Sequence, residues 1–582
     1  MERITPLIAA ILTVAFFSSQ ADAVEYVQAP PLSQVVTVSV GEVSASDPVQ
    51  VPLITWGGDI ATIYANGSNK RTQKSSVFNS KGLDLSLVRQ DDFKKQVEDF
   101  VSGKSPYLRG TLGMVNQALE VLMHDPRTVP VVVYQMTESN GGDALVVKPG
   151  IKSAKDLCGK TIAVQAYGPH VDYMTKVVTD ACGSVKRVTI KWTRDLTGSF
   201  EKNASTPGSA FKHDPSVNAA FVIIPDALAL TTVPMVNGKP VKGAEYNVPD
   251  SQILLSTKTC DTCIADVYAV RADYFQKHRD GVEKFVHGLM LGEEALRDLV
   301  KNKKSRQQDY RKMITAAAAI LLDSDKAVAD AEGLYADAKY VGYRGNINFF
   351  GNTNYLRNFD KRTTEIQGAF MAMGFLSKRT VLDHARWDYN RLKQGMTDVA
   401  GVVVPKFDSG EVAKVIDRKQ KQGTLSEGEL FSFEVFFTPD QAVFSPDMYA
   451  DSFSKVVEMA ATYGGAVITV EGHSDPLQYL KLKKKGSSDI VLSRTWQSAK
   501  NLSLSRANAV RDSVVAYAKR KGITVDPSQF VVVGHGIDKP KNGKCGSDPC
   551  APRTEQEWRN NMRVEFRIIQ IEAEASAFTP LQ

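Results

Sequence analysis

The sequence predicts an α/β chain of more than one domain, on three observations. From Val51 to Val164, stretches with strand character alternate with stretches of helical periodicity, the pattern of sheets covered by helices. Near the C-terminus, Met562, Val564, Phe566 and Ile568 alternate with Arg563, Glu565 and Arg567, a strand with one covered face. The 582 residues, 43% hydrophobic and 23% charged, suffice for two or three cores and match neither a disordered nor a fibrous chain. The net charge of +6 is small for this length, and no basic helix is interleaved with stacking aromatics, so nucleic acid is not an expected partner.

In chain order, residues 1–23 carry one Arg, an apolar run from Ile4 to Phe17 and the small-x-small ending Ala21-Asp22-Ala23. This is the pattern of a secretory signal peptide cut before Val24; the alternative is an uncleaved anchor, against which the shortness of the run speaks. The next most apolar run, Ile314 to Leu322, is too short to cross a bilayer, so no transmembrane span is expected in the mature chain. Export to an oxidising compartment favours disulfides, and local pairing is the simplest arrangement: Cys158 with Cys182, Cys260 with Cys263, Cys545 with Cys550. Cys260-Asp261-Thr262-Cys263 has redox spacing but lacks the following helix that activates such a thiol. No second Cys pair or His pair stands at zinc-ligand spacing, so neither metal nor cofactor is expected.

Val51–Thr55 reads as a strand ending in Trp56-Gly57-Gly58-Asp59, Leu83–Val88 as a second, and Asp92–Val101 as a helix stopped by Gly103. Val129–Gln135 is a strand leading into Ser139-Asn140-Gly141-Gly142, and Ala144–Val147 is apolar again. Repetition of strand and helix predicts a largely parallel sheet. The phrase from Ile151 to Val164, with Ser153, Asp156-Leu157, Gly159-Lys160 and Ile162-Ala163-Val164, turns a short capped helix directly into a buried strand. With Asn218 to Phe221 before Pro225-Asp226, and Val267 to Phe275, it resembles the type 2 periplasmic substrate-binding proteins of ABC transporters, in the taurine, sulfonate and nitrate branch.

That resemblance implies two α/β lobes joined by two crossings within residues 24–405, the second lobe spanning about 137–263, with a small solute held between them and an ABC permease as partner. Trp56 can pack on the solute or belong to the core, and Asp59 suits an ammonium. Thr111, between Gly110 and Gly113, opens a helix whose amides suit an anion or form an ordinary turn. Ser139, Asn140 and Gly141 fall at the first crossing, where glycine permits hinge motion. Tyr167 ends a strand before Pro169, and His170 reads as an exposed residue at a helix start. Asp280–Arg391 is helical by pattern and carries no catalytic constellation.

Residues 406–430 are polar and read as a solvated linker. The last domain reads as a small α/β sandwich: a strand at Phe431–Phe437, a helix started by Ser445-Pro446, and a strand at Val467–Glu471 that Gly472 ends, leaving Asp475 on its loop. Ser503 is a good N-cap, which puts Arg506 in a first helical turn, where the dipole disfavours a cation unless an anion answers it. One carboxylate and one guanidinium on neighbouring rims suit a zwitterion, or pair with each other structurally. Gly472-His473-Ser474-Asp475, Leu502-Ser503 with Arg506-Ala507 and Val510, Val533-Gly534-His535-Gly536 with Pro540, and Asn561-Met562-Arg563-Val564-Glu565 together resemble the OmpA-like peptidoglycan-binding domain. The resemblance covers about Phe431 to Ile569, giving a domain of 431–572 and a tail of 573–582, and implies that Asp475 and Arg506 hold the diaminopimelate of a stem peptide, with Asn561 and Arg563 also binding peptidoglycan. Ala499 and Met562 depart from the family pattern, and the Lys-rich insert 478–490 reads as a solvated loop.

The expected function is therefore a periplasmic solute-binding protein held non-covalently to the cell wall, not an enzyme. The alternatives are an envelope scaffold without solute, or an enzyme related to the thiamine-pyrimidine precursor synthases of the same two-lobed fold.

Overall fold

The computed structural model describes residues 23–43, 48–232, 235–236, 239–240, 247–399, 407, 409–423, 429–436 and 449–569. The signal peptide, apart from Ala23, the C-terminal tail and the Ser445-Pro446 helix start lie outside these residues.

Strands β1 (Val49–Leu53), β2 (Leu85–Arg89), β3 (Tyr107–Thr111) and β4 (Pro130–Ser139) open the first lobe. The chain then crosses into a second lobe of β5 (Asp143–Val147), β6 (Thr161–Gln165), β7 (Thr189–Thr193) and β8 (Ala219–Ile223), the hairpin β9 (Met235–Val236) and β10 (Lys239–Pro240), and β11 (Gln252–Ser256). It returns along β12 (Ala265–Arg271), and β13 (Ala338–Tyr340) and β14 (Asp383–His384) complete the first lobe. The first-lobe sheet has the order β13-β4-β12-β3, with β14 on β4 and the parallel pair β1-β2 as a separate ladder; the second has β11-β5-β8-β6-β7.

Neither sheet is largely parallel, which corrects the expectation from strand-helix alternation. The chain leaves the first lobe along β4 and returns along β12, so these two long strands run in opposite directions and pair antiparallel. β5, emerging from the crossing, is likewise antiparallel to β8 and β11, whereas β6 pairs in parallel with β7 and β8 across helical connections. The phrase at Ser153 folds as expected: the Asp156 carboxylate accepts the Ser153 amide (2.8 Å), closing one turn at Ala154–Leu157 before β6. Asp92 caps the helix Phe93–Val101, and Gly103 follows it with φ +80°.

Residues 23–43 lace the lobes together. Val27 bridges to Trp192 and the Tyr26 hydroxyl donates to Asp214 (2.6 Å) on the second lobe, while Leu32 and Val36 are buried in the first-lobe core.

The last domain comprises β15 (Glu429–Phe436), β16 (Val467–His473), β17 (Phe530–Gly536), the clip β18 (Lys544–Cys545) and β19 (Asp548–Pro549), and β20 (Arg563–Ile569). Its sheet order is β15-β20-β16-β17, with β16 and β17 parallel. Helices Ala450–Thr462 and Asp489–Arg520 cover one face through Phe453, Val456, Val510 and Val514. The other face is covered by Ser409–Gln422, a helix where a solvated linker was expected. Val412, Val415 and Ile416, at helical spacing, meet Val467, Val533 and Ile569 of the sheet, and this apolar stripe explains why the segment does not stay in water. The Lys-rich insert also folds, as the helix Leu477–Lys484, and is not a loop.

One apolar cluster runs from the second lobe into this domain, joining Leu157, Tyr173 and Phe221 to Phe431, Tyr463 and Phe566 through Cys260 and Cys263. The Tyr463 hydroxyl donates to Asp180 (2.8 Å), Thr262 donates to the carbonyl of Ala461 (3.2 Å), and the Gly465 amide donates to the carbonyl of Thr259 (3.1 Å). A Cβ at Gly465 would lie 1.8 Å from the carbonyl oxygen of Lys258, so the close approach requires glycine. The cysteines pair as Cys158–Cys182, Cys260–Cys263 and Cys545–Cys550.

Candidate functional site

The junction between the lobes is built from strand ends. After β1 the chain turns through Trp56-Gly57-Gly58 into the helix Asp59–Ala65, and the Trp56 Nε1 donates to Thr137 Oγ1 (2.9 Å) on β4. The Trp56 ring lies over Gly142, where a Cβ would come within 2.7 Å of it, so Trp56 packs on the first crossing. Thr137 Oγ1 donates onward to Asp266 (2.9 Å), and Arg109 joins Asp266 (3.0 Å) to Asp59 (2.9 Å). Arg109 and Asp59 have no exposed surface, so Asp59 serves this buried ion pair and does not face a cleft, contrary to its expected role toward an ammonium. Burial alone would lower the Arg109 guanidinium, and Asp59 and Asp266 overturn that, holding it charged.

Both crossings are pinned through Asp143. Ser139 Oγ donates to its carboxylate (2.5 Å), and Thr257 Oγ1 on the return crossing accepts from the amides of Gly141 (3.0 Å) and Asp143 (3.1 Å). Gly141 has φ +112°, which a side chain would strain, and the Asn140 amide donates to the carbonyl of Asp337 (2.8 Å). His170 is fully buried with its Nε2 2.7 Å from Asp143, and is not the exposed helix-start residue expected.

The helix His170–Cys182 brings Asp172 across to the first lobe. There Thr111 caps the helix Leu112–Gln117, and its Oγ1 is 3.4 Å from the Asp172 carboxylate; a Cβ on Gly113 would come 2.6 Å from the Asp172 Cβ. The amides expected to await a solute anion therefore meet a carboxylate of the chain itself. Burial pushes Asp172 up to about 7, against the pull of its own amide, Arg362, Thr111 and the Gly113 amide. Tyr167, at φ +61°, donates its hydroxyl to the carbonyl of Pro30 (2.6 Å) and packs near Phe375, facing the lacing segment.

Beyond Asp172 a cavity of about 450 Å³ opens between the His170 helix and the helix Phe359–Met373. Lys176, Arg357, Arg362 and Arg379 supply its cations, and Asp172, Asp180, Glu365 and Glu458 its carboxylates. Several are paired among themselves, Arg357 with Glu365 (2.7 Å) and Lys176 with Asp180 (3.0 Å), while Arg362 reaches Glu138 (2.6 Å). Glu458 comes from the last domain, so three parts of the chain meet here.

In the last domain Asp475 follows β16, half-buried, with Oδ2 accepting the Leu477 amide (2.8 Å). Burial raises it, offset by that amide and by the Trp558 and Asn561 side chains. Arg506 lies in the body of Asp489–Arg520 and not in a first turn, since Ser503 donates to the carbonyl of Lys500 (2.8 Å) as an interior helical residue. The dipole argument for Arg506 therefore fails, although the helix face holding Ser503 and Ala507 does pack against Gly472 beside Asp475. Asn561 is buried and its Oδ1 accepts the Lys541 amide (2.8 Å). Arg563 pairs with Glu434 (3.3 Å) and Glu565 (3.4 Å).

Sequence reasoning did not single out Arg109, Asp143, Asp172 or Asp266. A cation inside the otherwise uncharged strand Tyr107–Thr111 was the available signal, since a buried charge requires a partner.

No protein family matches the chain by sequence profile, and no curated protein matches it. Among solved structures, the chain is similar to a putative sulfonate-binding protein SsuA from Methylobacillus flagellatus KT, at 13% identity and TM-score 0.40, covering 63% of this chain and 100% of that one. It is also similar to the alkanesulfonate-binding protein SsuA from Xanthomonas axonopodis pv. citri bound to MOPS, at 12% identity and TM-score 0.37, covering 59% and 100%. A third is the Candida albicans CA3427 gene product, described as having the generic periplasmic binding protein fold, at 13% identity and TM-score 0.37, covering 58% and 98%. Among the described residues no helix is long and apolar enough to cross a membrane.

Proposed function

We propose that the chain is an exported, periplasmic binding protein for a small polar solute, tethered to peptidoglycan by residues 431–572 and working with an ABC permease rather than as an enzyme. The observation that carries the solute half is the pair of sheets joined by two crossings, at residues 139–143 and 256–265, with polar side chains of both lobes converging beside them. The mixed charge of the cavity at Arg362 and Asp180 supports a zwitterionic or anionic solute. In this reading Trp56, Ser139, Asn140 and Gly141 belong to the crossing about which the lobes close, Thr111 to the contact with Asp172, and Asp59 and Tyr167 to their support. The tether is assigned in this reading to Asp475 and Arg506 with Asn561 and Arg563; in its support, the Asn561 side chain faces Asp475.

A solute bound at 100 times its dissociation constant adds about 2.7 kcal/mol to folding stability. Thermal unfolding of the mature chain with sulfonates, nitrate, amino acids, quaternary amines and pyrimidines is expected to give at least one hit that Arg362→Met abolishes. Silence across the panel, with nothing co-purified by mass spectrometry, contradicts solute binding and favours a scaffold.

A further inference from the structure

The sheet of the last domain carries a polar cluster on the face beneath the helix Ser409–Gln422. Alternation along β16 sends Thr469, Glu471 and His473 to that face, and the parallel register, which sets His473 beside Gly536, brings His535 of β17 next to them. Sequence spacing gave no His pair at ligand distance because the two are joined only by strand pairing.

Glu471, His473 and His535 are all buried, and one donor atom of each lies within 4.8 Å of the others. His535 Nε2 is 2.6 Å from Glu471 Oε2, and His473 Nε2 is 3.5 Å from Glu565 Oε2. The remaining atoms of these side chains are held from outside. Glu471 Oε1 accepts from Thr469 (2.8 Å) and faces Arg567 (3.3 Å), Glu565 Oε1 faces Arg567 (2.5 Å), and His473 Nδ1 lies 3.2 Å from the carbonyl of Lys539. His535 Nδ1 meets the Gln420 side-chain amide at 3.5 Å.

The carbonyl at Nδ1 can accept a hydrogen bond from a His473 proton on that nitrogen and leave the Nε2 lone pair facing inward, the outer-shell arrangement of metal-ligating histidines. That Nε2 is buried and faces the Glu565 carboxylate at 3.5 Å, too long for a full hydrogen bond. Arg563 also approaches Glu565 Oε2, at 3.4 Å. Among the described residues, Glu429, Glu434, Glu471 and Glu565 face Arg563, Arg567 and Lys541, so this face of the sheet is built from charged side chains of both signs.

We propose that Glu471, His473 and His535, with Glu565 as a fourth donor, form a site for a divalent first-row transition ion such as Zn2+. Two imidazole nitrogens with one or two carboxylate oxygens suit that class and disfavour Mg2+ or Ca2+, which take oxygen ligands. Bound there, the ion would join β16, β17 and β20.

The full mature chain, stripped with chelator, is titrated with Zn2+ and with Co2+. The expected result is uptake of one ion per chain, visible ligand-field bands with Co2+, and a rise in unfolding temperature that EDTA reverses. His473→Gln and His535→Gln are each expected to weaken uptake by about tenfold or more, with secondary structure retained by circular dichroism. Should either variant fail to fold, Glu565→Gln is expected to alter the Co2+ bands, and unaltered bands there count against the site. Absence of stoichiometric uptake by the native chain, or uptake unchanged in the histidine variants, overturns the proposal.

Discussion

Asp172 places a carboxylate from the second lobe against the first turn of Leu112–Gln117 in the first lobe, where it is 2% exposed. Burial raises it to about 7, so between about pH 4 and 7 the folded chain keeps a proton that the unfolded chain has lost. Stability from this group is therefore full below pH 4, falls as pH rises to 7, and is level above. Asp172→Asn cannot ionise and still offers an acceptor to Thr111. It is expected to be more stable than the native chain at pH 8 by roughly 2–4 kcal/mol and nearly equal at pH 4, as read from denaturant unfolding at the two values. Equal stabilities at pH 8 would show that the carboxylate is not desolvated. Single side chains at this junction were poorly legible in the sequence. Trp56 and Ser139 were found from strand ends and glycines, but Asp143, His170 and Asp172 act through partners 27 to 61 residues away, which local pattern does not reveal.

Elements were more legible than contacts. Strands β1, β2, β5 and β6, the Asp92 cap and the turn at Ser153 follow from alternation, capping residues and glycine, because each depends on neighbours in sequence. Sheet direction did not follow, since it is set by the two crossings. The helix Asp489–Arg520 was misjudged at its start because Ser503 has capping chemistry, yet no Gly or Pro interrupts the residues before it and the helix simply continues through. What fixes this helix on the sheet is the absence of side chains beneath it. A Cβ at Gly472 would lie 2.0 Å from the carbonyl oxygen of Ser503, and one at Gly534 would lie 2.8 Å from the Leu504 Cβ. Gly472→Ala must lift the helix from β16, and a loss of roughly 1–3 kcal/mol in urea unfolding is expected. A loss below about 0.5 kcal/mol would contradict that packing.

At the scale of the molecule, the last domain shares its apolar cluster with the second lobe, and the Cys260–Cys263 crossing lies in that shared core. A peptidoglycan tether would then hold the second lobe through this shared core, while the first lobe meets the last domain at fewer points, among them Asn354 beside Gly522. A separate sheet near the C-terminus was expected from strand alternation and does form; its docking was not legible, because Tyr463 to Asp180 and Gly465 to Thr259 join residues some two hundred or more apart. The reading as a wall-tethered binding protein is tested most directly by co-sedimentation of the mature chain with diaminopimelate-containing sacculi. The native chain is expected to pellet, and Asp475→Ala and Arg506→Ala, each shown folded by thermal unfolding, are expected to remain in the supernatant, since losing one partner of a charged ligand contact costs about 2–5 kcal/mol. Undiminished pelleting of both variants, or no pelleting of the native chain, would contradict the tether.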